Sequence, residues 1–363
     1  LEPPTGDDYR AIGPFRDGES ALFALTNRGK RSVVVDLKAP EGQALARRMA
    51  AGCDVVVENF RPGVAARLGL GAEALRAENP GLVVCSISGF GQSGPDTALP
   101  AYDIIVQALS GWMDATGEAG GGPLKVGEAL GDVAAGLYAA IGILAALVGR
   151  GRTGEGAALD VAMLDCLVAM LPTSHALHLY AGQSVARVGN RHPLSTPFGG
   201  YRTADGHVII AVLGARQFAA LCRLMGRPQA ADDPRFATDE GRTAHEPEIR
   251  ALIEDWSARL STDDAVAALR GADIPAAPIL TLAGQLASAH AQARDLVAEL
   301  PHHRLGRAPV VGQPLRFDGA KPLAPTGAPA LGADTRAVLD GLGLSADQIA
   351  GLVAAGIVQE TQA

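Results

Sequence analysis

The sequence has little with which to cross-link itself. Its 363 residues include four cysteines, Cys53, Cys85, Cys166 and Cys222, without a CxxC pair, and its eight histidines form no HxH or HxxxH pair. These absences exclude a disulfide framework and a zinc module, and they fit a reducing compartment. Blocks of basic residues are missing as well. Thirty-one Lys and Arg face 39 Asp and Glu, a net charge of −8, which argues against nucleic acid or an anionic membrane as the main partner. No GxSxG elbow, Walker loop or HExxH helix is present, so hydrolase, NTPase and metalloenzyme readings have no support. No secretory-type leader opens the chain, and a cytoplasmic location is expected. One long uncharged run exists, the 17 residues from Val133 to Gly149. A membrane span needs about 20 apolar residues. This run is short, rich in Gly and Ala, and bounded by Asp132 and Arg150, so a helix buried on all sides is expected instead.

What is present alternates at first between strand and helix patterns. Ser32–Leu37, Asp54–Glu58 and Gly81–Ser88 are β-branched runs separated by helical stretches, and a shorter strand is expected at Ala157–Val161. Continuous Val and Ile runs between helices predict a doubly wound parallel sheet, an α/β fold that binds ligands at the carboxyl ends of its strands. Tyr102–Thr116, Asp132–Arg150 and Val161–Gly182 read as helices. From Arg191 the texture changes: Gly200–Thr203 and His207–Val212 around a Gly turn predict a hairpin. Helices follow, one opening at Ser261 with Asp264 in capping position. This is a smaller α+β domain. A Pro- and Gly-rich stretch from Pro301, with Pro309, Pro314, Pro322, Pro325 and Pro329, is expected to be an ordered strap leading to helices at Asp334–Leu342 and Ser345–Ala355.

Gly89-Phe90-Gly91-Gln92-Ser93-Gly94 is a literal GxGxxG after a strand. A dinucleotide site needs a helix to open within that motif. Pro95 and Pro100 extend the loop instead, which argues against a nicotinamide site. Asp132 is the one acid entering the uncharged helix. Aspartate is a preferred N-cap residue, which suffices to explain it. A carboxylate nucleophile beside a glycine is the functional reading, and both stand at this point. His302 and His303 read as solvated, His175 and His178 as packing on one helix face, and His192 lies in a turn able to face a site.

The strings assemble in order: Asn27-Arg28-Gly29-Lys30-Arg31-Ser32, Glu58-Asn59-Phe60-Arg61-Pro62-Gly63, Gly89 to Pro95, Pro100-Ala101-Tyr102-Asp103, Gly131-Asp132, and Arg152-Thr153-Gly154-Glu155-Gly156. In this order the chain resembles class III CoA-transferases, the CaiB/BaiF family, over nearly its whole length. The resemblance implies an enzyme that moves CoA from an acyl-CoA donor to a carboxylate acceptor, through a mixed anhydride and an aspartyl-CoA thioester. Asp132 matches the nucleophile. Tyr102 and Asp103 match the pair lining the thioester, and Val35, Lys38, Asn59 and Arg67 match CoA-binding positions. CoA is a substrate, and no metal or redox cofactor is implied. An α-methylacyl-CoA racemase, the alternative within the family, needs a histidine where Tyr102 stands. A CoA-binding pseudoenzyme lacking the strand–helix unit of about 35 residues with which family members begin is the other alternative. The resemblance also implies an interlocked homodimer. It implies a discontinuous large Rossmann-like domain, residues 1–190 and 300–363, around a small one at 191–299. Pro193–Gly200 departs from the polyglycine loop of oxalate-type members. Arg191 and Arg202 are candidates to hold a dicarboxylate.

Overall fold

The computed structural model describes residues 1–321 and 326–361. Three strands, Val55–Glu58, Val83–Ser88 and Ala158–Ala162, form a parallel sheet with Val83–Ser88 in the centre. All three lie within two residues of their predicted positions. Parallel strands must be joined by crossovers, and the first crossover carries the helices Val64–Arg67 and Ala72–Glu78. Behind the sheet Leu82 and Val84 pack with Leu75 and Ala50. Complete burial of side chains such as Leu82 and Val84 contributes about 1.5–3 kcal/mol each.

The first predicted strand departs from this scheme. Only Val34–Val35 is extended, and it pairs antiparallel with Val358–Gln359 rather than joining the parallel sheet. A separate core forms there from Val33, Val35, Leu45, Leu339, Ile349 and Val358. The end of the strap is therefore ordered. Asp334 accepts the Ser32 amide, and the helices Thr335–Gly341 and Ala346–Ala354 follow, the second opened by a Ser345/Gln348 capping box. Earlier, the strap is a hairpin of Val297–His302 and Gly306–Val311. Its Pro322 and Pro325 lie outside the described residues.

The chain divides into two compact units. One comprises Leu1–Asp103, Gly131–Cys166 and Ala283–Ala363; the other comprises Ile104–Leu130 and Leu167–Leu282. These borders differ from 190 and 300, for a local reason. Trp112 Nε1 donates to Leu167 O at 2.9 Å, the Gly189 amide donates to Gly117 O at 2.8 Å, and the Arg187 guanidinium binds Asp114 at 2.7 Å. Residues 104–130 and 167–190 are thereby tied to each other.

The second unit contains the predicted hairpin, as Phe198–Arg202 and His207–Ala211, with Ala276–Pro278 as a third strand. The helices Ala215–Leu224, Glu246–Ser257 and Thr262–Gly271 cover a core of Tyr201, Ile210, Leu221, Ile249, Ile253 and Leu269. Ser261 accepts the Asp264 amide at 3.1 Å, as the pattern predicts. Arg242 is buried, yet its guanidinium is satisfied by Thr196 O, Phe236 O and Asp239 Oδ1, the condition under which a buried charge is tolerated.

Three helical predictions need correction. Tyr102–Thr116 is two helices, Asp103–Leu109 and Trp112–Ala115, because Gly111 between them takes a φ of 91°. Val161–Gly182 is interrupted as well, with Met163–Ala169 ending before Pro172 starts a new turn. The uncharged run becomes the 24-residue helix Leu130–Thr153, long and apolar enough to cross a membrane by length and composition. It is not buried on all sides. Gly131, Ala134, Ala135 and Ala139 are buried, while Val133, Leu137, Ile141, Leu144 and Val148 stand exposed. Their spacing of three or four residues lines them along one face.

Candidate active site

The site is built where the long helix begins. Asp132 is the third residue of the helix and lies in its first turn, so it is not the N-cap that its sequence position suggested. Ala129, which precedes the helix, has no side chain with which to cap it. Asp103 supplies the missing acceptor from a distant part of the chain: its Oδ1 accepts the Gly131 amide at 2.7 Å. Asp103 is buried, as a carboxylate can be when a backbone amide donates to it. This role is not marked by any local motif, although the uncapped start at Ala129 is a signal that an acceptor must arrive from elsewhere.

Two carboxylates thus flank one glycine. Asp132 is solvent-accessible, but neighbouring protein strips part of its hydration, and that desolvation raises its pKa above the ordinary carboxylate value. The negative charge of Asp103 raises it further. Both effects disfavour the ionised form and make the carboxylate less stabilised, hence more reactive as a nucleophile once ionised. The helix N-terminus opposes them by favouring negative charge. Two of the first amides are already used, Gly131 by Asp103 and Leu130 by Glu128 O, so neither is available to an oxyanion.

Tyr102, next to Asp103, is 78% exposed and leaves its ring open to a ligand. Gly89 in the predicted glycine loop lies so close to Ala101 that a Cβ there would overlap it. The loop runs from the carboxyl end of Val83–Ser88 without opening a helix, as the argument against a nicotinamide site required.

The CoA-matching positions separate. Asn59 directly follows the carboxyl end of Val55–Glu58 and is exposed, and Lys38 and Arg67 are exposed too. Neither cation forms an ion pair among the described residues, so both remain available to an anion. Val35 does not join them: it is 1% exposed, and its side chain belongs to the core with Leu45 and Leu339.

The histidines and arginines also resolve. His302, expected in solvent, is buried because the hairpin turn folds over it, and its Nδ1 accepts the Arg304 and Leu305 amides. His192 Nδ1 accepts the Leu194 amide, and its ring meets Phe198 edge-on. His175 Nε2 bonds Val168 O. Arg202 is taken by Glu254 at 2.9 Å, whereas Arg191 has no ion pair among the described residues. Among the described residues no group of three His, Cys, Asp or Glu side chains is arranged to hold a metal.

Comparison with known proteins bears on this arrangement. The chain matches "CoA-transferase family III" over residues 1–335. It is 43% identical over 305 residues to a succinate–glutarate CoA-transferase of Agrobacterium fabrum, covering 82% of this chain and 76% of that one. It is 38% identical over 323 residues to an acetyl-CoA:oxalate CoA-transferase of Acetobacter aceti, covering 88% and 81%. The crystal structure of a CaiB/BaiF family protein from Brucella suis superposes with a TM-score of 0.81 at 38% identity, covering 94% of this chain and 90% of that one. With a match across nearly the whole chain and relatives above a third identical, this mixed α/β protein belongs to CoA-transferase family III.

Proposed function

We propose that this CoA-transferase exchanges CoA between dicarboxylic acids, with Asp132 as the nucleophile. The observation that carries the reading is the Asp103–Gly131–Asp132 arrangement: an accessible, partly desolvated carboxylate in a helix first turn whose backbone is pinned by a second carboxylate. The dicarboxylate class is supported by relatives named for succinate, glutarate and oxalate.

Asp132 attacks the acyl-CoA carbonyl and expels CoA thiolate, leaving an acyl–aspartyl anhydride. The thiolate attacks the aspartyl carbonyl of that anhydride, releasing the donor acid and forming an aspartyl-CoA thioester. An acceptor carboxylate then displaces the thiolate to give a second anhydride. Attack of the thiolate on the acceptor carbonyl releases the new acyl-CoA and restores the Asp132 carboxylate. Atoms and charge balance with no other reactant. Tyr102 and Asp103 border the reacting thioester. Lys38, Asn59 and Arg67 bind CoA, the two cations meeting its phosphates.

The functional unit is a cytoplasmic homodimer with a doubly wound large domain and a smaller α+β domain, interlocked through the strap. The apolar stripe of Leu130–Thr153 supports an obligate partner surface, since contiguous exposed apolar faces mark interfaces. The test is mass spectrometry after incubation with succinyl-CoA and hydroxylamine. A hydroxamate on Asp132, absent in Asp132→Ala, is the expected result. Exchange of the α-proton without any adduct would overturn the reading in favour of isomerase chemistry.

A further inference from the structure

An aspartate in the middle of a strand runs against strand propensity, and Asp160 occupies such a place in the edge strand Ala158–Ala162. Its partner in the parallel register is Ser86 of the central strand. Asp160 is exposed, and its carboxylate accepts the Gln92 amide at 2.9 Å. It also lies against Gly91, where a Cβ would come within 3.3 Å of Oδ2, and Gly91 has a φ of 84° that a larger residue adopts only under strain. Ser88 Oγ accepts the Gly91 amide at 3.0 Å from the other side. The glycine loop is thus held at two successive amides, at the carboxyl end of the central strand, where open α/β sheets receive ligands.

The loop continues the connection. Gly89 packs on Ala101, Ala101 precedes Tyr102 and Asp103, and Asp103 accepts the Gly131 amide beside Asp132. Every link lies within the first compact unit.

We propose that Asp160 is a positioning residue for CoA transfer: by accepting the Gln92 amide it sets the 89–94 loop, and through the Gly89–Ala101 contact it sets the Tyr102–Asp103 pair against the start of the Asp132 helix. It touches no reacting atom. The inference rests on the reading of Asp132 as nucleophile. A side-chain oxygen is what the amide needs, so asparagine retains the function and alanine loses it.

The experiment compares wild type, Asp160→Asn and Asp160→Ala in steady-state succinyl-CoA transfer to glutarate and in the rate of hydroxylamine-trapped Asp132 adduct. Thermal midpoints are measured in parallel. Misplacing catalytic groups by an ångström costs rate rather than affinity. Asp160→Ala is therefore expected to lower kcat and adduct formation by about tenfold or more, with KM for succinyl-CoA within about threefold of wild type. Asp160→Asn is expected to recover most of that loss. A kcat and adduct rate for Asp160→Ala equal to wild type overturns the inference, as does an asparagine variant impaired as much as alanine. Should the alanine variant fail to fold, Gly91→Ala, which presses a methyl against the same carboxylate, is judged by the same kcat and KM criteria. A wild-type chain that forms no adduct removes the Asp132 reading and this inference together. A wild-type adduct with an unaffected Asp160→Ala removes this inference alone.

Discussion

The long helix of the first unit and the core helices of the second bury opposite kinds of residue. In the second unit the helices turn their large side chains inward: Leu221, Ile249, Ile253 and Leu269 are each buried to 1% exposure or less around the hairpin. The long helix of the first unit does the reverse. It buries Gly and Ala and holds Leu137, Ile141 and Leu144 at 60% exposure or more. A helix that presents small residues leaves room for a neighbour to pack closely; Gly142, for example, sits where an added Cβ would be in van der Waals contact with the Leu159 side chain. The large apolar side chains are then left exposed. Apolar content is therefore a poor guide to which face of this helix is the inner one, and the two regions fail in different ways when perturbed.

The largest effect is expected at the polar end of the exposed-stripe helix. Asp132→Ala removes the carboxylate proposed as the nucleophile and should cut transfer by about 10³-fold or more, with circular dichroism and thermal midpoint little changed. A variant that unfolds instead would make Asp132 a structural residue. In the second unit the cost should be stability: Leu221→Ala leaves a cavity and should destabilise by roughly 2–5 kcal/mol in denaturant unfolding. A negligible loss would show a core loose enough to collapse around the gap.

The stripe sharpens the contrast further. Ile141→Glu should leave the stability of the isolated chain within about 0.5 kcal/mol, as for other exposed sites, while weakening self-association by about tenfold or more in sedimentation equilibrium. Unchanged association would show that the stripe takes no part in the proposed dimer. The smallest effect concerns charge. Asp103 raises the Asp132 pKa, though less than desolvation does. Asp103→Asn keeps an acceptor for Gly131 and removes the charge, so the Asp132 pKa falls and the acid limb of the kcat–pH profile moves to lower pH. Movement to higher pH would contradict the assigned sign.

Two strands of the parallel sheet, Val55–Glu58 and Val83–Ser88, were legible to within two residues because their Val and Ile runs are a local signal. Hairpin residues 198–211 and the Ser261 cap were legible for the same reason, since a turn glycine and a capping hydroxyl act over a few positions. Val34–Val35 was legible as a strand but not in its pairing, because its partner Val358–Gln359 lies more than 300 residues away. The helix breaks at Gly111 and Pro172 sat within runs whose periodicity carried the expectation past them. Among candidate site residues, Asp132, Tyr102 and Asp103 could be singled out by order and motif. The bond from Asp103 to Gly131 could not, because nothing local links residues 28 positions apart.

Composition and pattern alone determined the α/β class, the absence of disulfide, zinc and Walker-loop motifs, and the ordered set of short strings that marks a CoA-transferase. These depend on side-chain chemistry and on periods of two or a few residues, which the chain carries in any conformation. Only the tertiary structure decided that Val35 belongs to a core, that His302 is buried, that Asp103 rather than Asp132 serves the start of the long helix, and that the helix turns its large apolar side chains outward. Each of these depends on which distant segment arrives beside which, and burial is a property of that arrangement rather than of the residue.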